Sequence, residues 1–302
     1  MRLLARVEQA LQFHFDRVAS DSVAPKLVSA MRHAVFSGGA RIRPQLAVAV
    51  AMACGDDQPE LTDAAACAIE LMHCASLVHD DLPAFDNADL RRGRPSTHKL
   101  FGEPLALLAG DALIVMAFQV LLNARTTQPQ RLVELMRNLG SGVGLPVGIV
   151  AGQALECEPS ADLGTYQRAK TGSLFVTATQ AGALACGSDP KPWVALGASL
   201  GEAYQVADDI RDVLGQTEAL GKPAGQDALH ARPSSASALG LTGAIASFES
   251  LIEAAVASVP VCSCRGMLQQ LVWHESERLV PSKTCAQYHP HPVSVASQRA
   301  TV

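Results

Sequence analysis

The chain has 302 residues, is 48% hydrophobic but only 4% aromatic, and carries a net charge of −5. Its length suits one large domain, and the absence of a basic surplus excludes a general nucleic-acid binder. Ala, Leu and Val supply most of the apolar content, and β-branched runs are scarce, so helices are expected throughout. Taken in order, the periodicity gives candidate helices at 3–18, 23–35, 43–54, 61–81, 104–125, 129–140, 146–156, 162–185, 190–214 and 235–258. Breakers separate them at Ser37-Gly38-Gly39, Gly55-Asp56-Asp57, Gly93–Pro95, Gly140–Gly144 and Gly187–Pro192. Stretches 61–79 and 104–122 are apolar on nearly every face and should be central. Asp111 and Gln119 interrupt the second of these, which therefore reads as a buried helix and not as a membrane span.

From about residue 261 to 302 an irregular, partly disordered C-terminal segment is expected. His289 and His291 alternate there with prolines, whose extended geometry projects the rings apart and disfavours a metal site. The eight cysteines are scattered: Cys54, Cys67, Cys74, Cys157 and Cys186 sit among helical alanines, and the Cys262-x-Cys264 pair has no zinc-spaced partner. No uninterrupted apolar core marks the opening residues as a signal peptide, so a cytoplasmic protein with reduced thiols is expected.

Two acidic clusters end apolar helices. In "HCASLVHDDLPAFDNADLRRGRP" the carboxylates are Asp80, Asp81 and Asp86, followed by Arg91 and Arg92. In "YQVADDIRDVLG", Asp208 and Asp212 are four residues apart on one helix face, with Asp209 beside them. Like charges at that spacing destabilise a helix, so a solvated face is the bland alternative. Carboxylates at the rim of an apolar core instead suit Mg²⁺, which keeps waters and bridges protein carboxylates to substrate phosphates. Cations at other breaks fit the same ligand: Arg41 and Arg43 in "SGGARIRP", Lys170 beside Thr171 in "AKTGSLF", and Lys222 in "LGKPAGQD". A diphosphate head on a hydrocarbon tail matches both the charge and the apolar helices.

These segments, in this order from about residue 30 to 233, resemble the trans-type polyprenyl diphosphate synthases, most closely the bacterial geranylgeranyl diphosphate synthases of carotenoid pathways. The resemblance implies an all-α, single-domain bundle of about ten or more helices around a deep apolar cavity, with residues 1–260 as the catalytic domain. It implies about three Mg²⁺ per active site, with Mn²⁺ as a substitute. Asp80, Asp86 and Asp208 would be direct ligands; Asp81, Asp209 and Asp212 would be direct or water-mediated. Arg91, Lys170 and Lys222 would hold an allylic diphosphate, and Arg43, His73 and Arg92 isopentenyl diphosphate. Lys170 would also act with Thr171 and Gln205 at the developing carbocation. A homodimer is implied too.

Two positions depart from the family pattern. Ala40 replaces a Lys that usually contacts isopentenyl diphosphate, a loss that Arg41 would offset, and Arg232 replaces a Lys while keeping the charge. One turn back from the aspartates the small Ala75 and Ser76, with Met72 deeper, leave room for a longer product than farnesyl. The expected product is geranylgeranyl diphosphate (C20), with farnesyl diphosphate, a terpene cyclase or a noncatalytic partner subunit as alternatives.

Overall fold

The computed structural model describes residues 3–20, 22–160, 162–214 and 235–288. It is helical apart from one small hairpin. The helices are α1 (Leu3–Ala19), α2 (Pro25–Val35), α3 (Ile42–Ala53), α4 (Pro59–Asp80), α5 (Thr97–Phe101), α6 (Glu103–Leu122), α7 (Pro129–Val143), α8 (Ile149–Ala154), α9 (Leu163–Gln167), α10 (Ser173–Ala185) and α11 (Val194–Val213), followed by α12 (Ser235–Ser258), α13 (Arg265–Leu279) and α14 (Ser282–Tyr288). Proline in the first turn opens α2, α4, α6 and α7, where its fixed φ and missing N–H carry no penalty. Between α4 and α5, strands β1 (Leu90–Arg91) and β2 (Arg94–Pro95) pair antiparallel. Their two-residue turn is Arg92-Gly93, both at positive φ, which matches the twist of a tight hairpin.

The apolar side chains form two clusters. One gathers around α4, with residues from α1, α2, α6 and α7. The other joins α3 and α11 to α12 and α13. α10 serves both: Leu174 belongs to the first cluster and Phe175 to the second. Between α9 and α10 the chain makes a π turn over Arg168–Gly172, the kind of local unwinding that often marks a functional site. Gly201 lets α11 approach that turn, because a Cβ there would lie 2.5 Å from the Cα of Gly172.

Three sequence-based expectations are corrected. The segment from residue 261 is not irregular as far as it is described, since it forms α13 and α14. Its polar "WHESER" stretch conceals the few buried positions, Leu268, Val272 and Leu279, that attach it to the core. Helix α6 is not buried all round: it packs on α4, yet Leu107, Leu108, Val115 and Leu122 are each at least 50% exposed. By length and composition alone α4, α6 and Leu239–Ser258 are apolar enough to cross a membrane, so the interruptions at Asp111 and Gln119 do not remove α6 from that class. The cysteines of the described residues are free thiols. His289 and His291 lie outside the described residues.

Candidate active site

A cavity of about 270 Å³ opens where the two apolar clusters meet. Helix α4 contributes His73, Ser76, Leu77 and Asp80, a stripe at helical spacing. Facing it, α11 contributes Tyr204, Gln205, Asp208 and Asp212. Arg43 enters from α3, Lys170 and Thr171 from the π turn, and Arg91 and Arg92 from the hairpin. Leu77, Ile149 and Leu174 are the aliphatic part of a wall that is otherwise largely polar.

The cations are held in place by acids. Lys170 Nζ lies 3.3 Å from Asp80 Oδ1 and donates to Glu156 Oε1 at 2.5 Å. Burial alone would lower the Lys170 ammonium, but Asp80, Tyr166 and Glu156 outweigh it and hold its pKa above the ordinary value. Arg91 bonds Asp81 and lies 3.8 Å from Asp80. Arg92 donates to the Gly38 carbonyl, and its guanidinium rests against Gly39, where a Cβ would meet Cζ at 2.6 Å. Glycine is required there on two counts, because its φ is also +120°.

Arg43 differs from the other cations. Burial pushes its pKa down to about 10, and its Nε is buried without a hydrogen-bond partner. Its guanidinium carbon sits 4.2 Å from the centre of the Phe175 ring and its Nη1 is 3.4 Å from His73 Nε2. Burial and the nearby arginines push His73 well below the usual histidine range, so it is neutral near pH 7. Such a partly unsatisfied buried cation is a natural anchor for an anion.

The aspartates on the wall are hard oxygen donors of the type Mg²⁺ prefers. Among the described residues no three His, Cys, Asp or Glu side chains gather closely enough to cage an ion alone. The donor set therefore fits a divalent cation whose coordination is completed by ligand oxygens and water.

Residues 24–260 match the polyprenyl synthetase family. The chain belongs to the polyprenyl synthetase family. It is 50% identical over 281 residues to the geranylgeranyl diphosphate synthase of Cereibacter sphaeroides, covering 93% of this chain and 98% of that one. The farnesyl diphosphate synthase of Geobacillus stearothermophilus is 40% identical over 260 residues, 82% of this chain and 86% of its own. The crystal structure of a Helicobacter pylori geranyltransferase, complexed with magnesium and isoprenyl diphosphate, superposes with a TM-score of 0.76 at 29% identity, covering 91% and 97% of the two chains. The chain is accordingly a trans-prenyltransferase of the prenyl diphosphate synthase type.

Within this synthase the structure divides the residues expected at the site. Asp80, Asp208 and Asp212 are on the cavity wall. Asp81 and Asp209 are not: they are 2% and 1% exposed and face inward. Neighbouring helical residues point about 100° apart, so one of each Asp-Asp pair must turn away from the cavity. Asp81 receives Arg91, while Asp209 accepts from Gln205 Nε2 at 3.0 Å, whose Oε1 in turn accepts from Thr171 at 3.0 Å. Asp86 is half-buried beside the wall, its backbone N–H bonded to the Asp80 carbonyl at 3.0 Å. Lys222 and Arg232 lie outside the described residues.

Arg41 does not offset Ala40. It is 3% exposed and turned into the core, bonded to Glu8 at 2.8 Å and to Glu70 at 2.7 Å. Met72 and Ala75 are likewise packed in the apolar cluster around α4, leaving Ser76 and Leu77 as the wall positions. Sequence reasoning missed Glu156, which also accepts from the Tyr166 hydroxyl at 2.6 Å, and Tyr204. The "GQALE" turn and the aromatic directly before Gln205 were the available signals.

Proposed function

We propose that the synthase condenses isopentenyl diphosphate with dimethylallyl, geranyl and farnesyl diphosphates to give geranylgeranyl diphosphate. The observation that carries this reading is the single cavity whose wall joins Asp80, Asp208 and Asp212 to Lys170, Arg91, Arg92 and Arg43. On the allylic side Lys170 and Arg91 grip the diphosphate that departs, spreading its charge as the C–O bond opens. About three Mg²⁺, held by Asp80, Asp86, Asp208 and Asp212, would neutralise that leaving group further. The inward Asp81 and Asp209 hold Arg91 and Gln205 in register. The oxygens of Thr171 and Gln205 face the allylic carbon, and Leu77, Ile149 and Leu174 keep water from the cation. Arg43, Arg92 and neutral His73 orient isopentenyl diphosphate so that its double bond attacks. A proton then leaves to the released diphosphate.

The C20 product is supported by the small side chains along α4 behind Asp80, Ser76 on the wall and then Ala75, Ala68 and Ala65. A separate void of about 10 Å³, room for little more than a water, is lined mostly by apolar residues including Ala65, Ala68, Ile69 and Leu139. Ala68 is twelve residues before Asp80 on α4, about 18 Å at 1.5 Å per residue. That is more than three helical turns, or about three isoprene units past the reacting end. The test is incubation with isopentenyl diphosphate, each allylic diphosphate and Mg²⁺, with product sizing by mass spectrometry. A product that stops at C15 would make this a farnesyl diphosphate synthase, and a cyclised hydrocarbon would overturn elongation altogether. In the same assay Ser76→Phe, which projects a ring from the wall into the cavity, is expected to move most product from C20 to C15 or shorter. An unchanged C20 product would remove the wall from the length argument.

The exposed stripe of Leu107, Leu108, Val115 and Leu122 supports a homodimer formed through α6. Sedimentation equilibrium that finds a monomer at micromolar concentration would reject it. Free thiols and the resemblance to bacterial enzymes support a cytoplasmic location, and the C20 product would feed carotenoid formation.

A further inference from the structure

Helix α13 does not line the cavity but meets one residue of its wall, Tyr204, through Glu275 and Arg278. Glu275, 4% exposed, accepts a hydrogen bond from the Tyr204 hydroxyl, and Arg278 Nε donates to the same Oε1 at 2.9 Å. Arg278 Nη2 also lies 3.0 Å from the Tyr204 hydroxyl. Tyr204 is on the cavity wall, its ring tilted on Phe175 with centroids 4.6 Å apart. Arg43 spreads over both rings, 4.2 Å from the centre of Phe175 and 5.9 Å from that of Tyr204. Because Phe175 is fully buried, it cannot move aside. The orientation of Tyr204 therefore sets one side of the slot that holds the Arg43 guanidinium.

We propose that Glu275 is a positioning residue: acting through the Tyr204 hydroxyl, it holds the ring so that Arg43 presents its guanidinium to a diphosphate. Arg278 supplies the charge that keeps Glu275 stable in its buried place. The inference rests on the reading of Arg43 as part of a diphosphate grip, and more narrowly on that diphosphate being the isopentenyl one. A helix distant in sequence from every acidic motif then tunes affinity for one co-substrate without touching either.

The test compares steady-state kinetics of Glu275→Leu, Glu275→Gln, Tyr204→Phe and Arg43→Gln, with each co-substrate varied in turn and Mg²⁺ saturating. Glu275→Leu is expected to raise KM for isopentenyl diphosphate about tenfold while kcat and the allylic KM change less than about twofold. Tyr204→Phe should reproduce that pattern, and adding it to Glu275→Leu should do nothing further. Glu275→Gln keeps an acceptor oxygen for the tyrosine and should restore near-normal KM. Because Gln also keeps the volume, it is Tyr204→Phe, which removes the hydrogen bond and leaves the packing of α13 intact, that separates positioning from packing. Arg43→Gln identifies which co-substrate that arginine serves. If it raises the allylic KM instead, the assignment of the two diphosphates is wrong, yet Glu275→Leu must still follow it. A Glu275→Leu enzyme whose KM values are unchanged, or raised for both co-substrates alike, overturns the proposal. Should that variant fail to fold, Tyr204→Phe carries the same test without disturbing α13.

Discussion

Asp80→Asn is expected to lower kcat/KM by at least about 10²-fold, with Asp208→Asn losing a similar amount. Asp80 ends α4 at the cavity with its side chain only 15% exposed, between Lys170 and Arg91. Asparagine keeps the size and removes the charge. A diphosphate could still meet the cations, but the carboxylate that would recruit a divalent cation to the leaving group is gone. The fold should change little, within about 1 kcal/mol, because each cation retains a second acid, Glu156 for Lys170 and Asp81 for Arg91. Kinetics beside thermal unfolding of both variants decides the matter. If Asp80 and Asp208 serve one substrate, the double variant should lose much less than the product of the single losses. Full activity in Asp80→Asn would remove the first acidic motif from the chemistry.

The largest effect on stability is expected at Glu70. Its side chain is 2% exposed and bonds Arg41, whose side chain is 1% exposed, at 2.7 Å. Removing one member of a buried pair leaves an uncompensated charge, at about 3–5 kcal/mol. Glu8 remains as a partner for Arg41 but is 40% exposed and better solvated, so it compensates only in part. Glu70→Leu should therefore lie near 3 kcal/mol, a fall in Tm on the order of 10 °C for a domain of this size. Replacing both partners, Arg41→Met with Glu70→Leu, should recover most of that loss. If the double variant is as unstable as the single one, packing rather than charge explains the site. The pair also bears on function, since Arg41 and Glu70 lie two and three residues from Arg43 and His73. It fixes the register of α3 against α4 where those two side chains meet at 3.4 Å.

The pattern of acids and glycines made the chemistry legible, because charge at the end of an apolar helix is costly and needs a ligand. Helix existence was legible for the same reason, since Ala and Leu in long periodic runs leave few alternatives. The phase of each helix was not. Whether Asp80 or Asp81, or Ser76 or Ala75, faces a cavity depends on a rotation that composition cannot fix when α4 is apolar all round. Partners distant in the chain were equally hidden: Arg41 looked like a diphosphate grip because Glu70 is 29 residues away. Helix α13 was missed because its inward face carries Glu275 and Ser276, polar residues satisfied only after folding.

The hairpin has a consequence for tolerance to heat. Arg91 turns toward Asp81 and Arg92 toward the Gly38 carbonyl, although the two are adjacent in the chain. Their Cα atoms are thus a fixed ~3.8 Å apart, set by one peptide unit. Helices that drift against one another as the bundle expands alter most distances across the cavity, but not this one. The gauge that spaces the two arginines is covalent, and it survives any motion that leaves the Arg92-Gly93 turn closed.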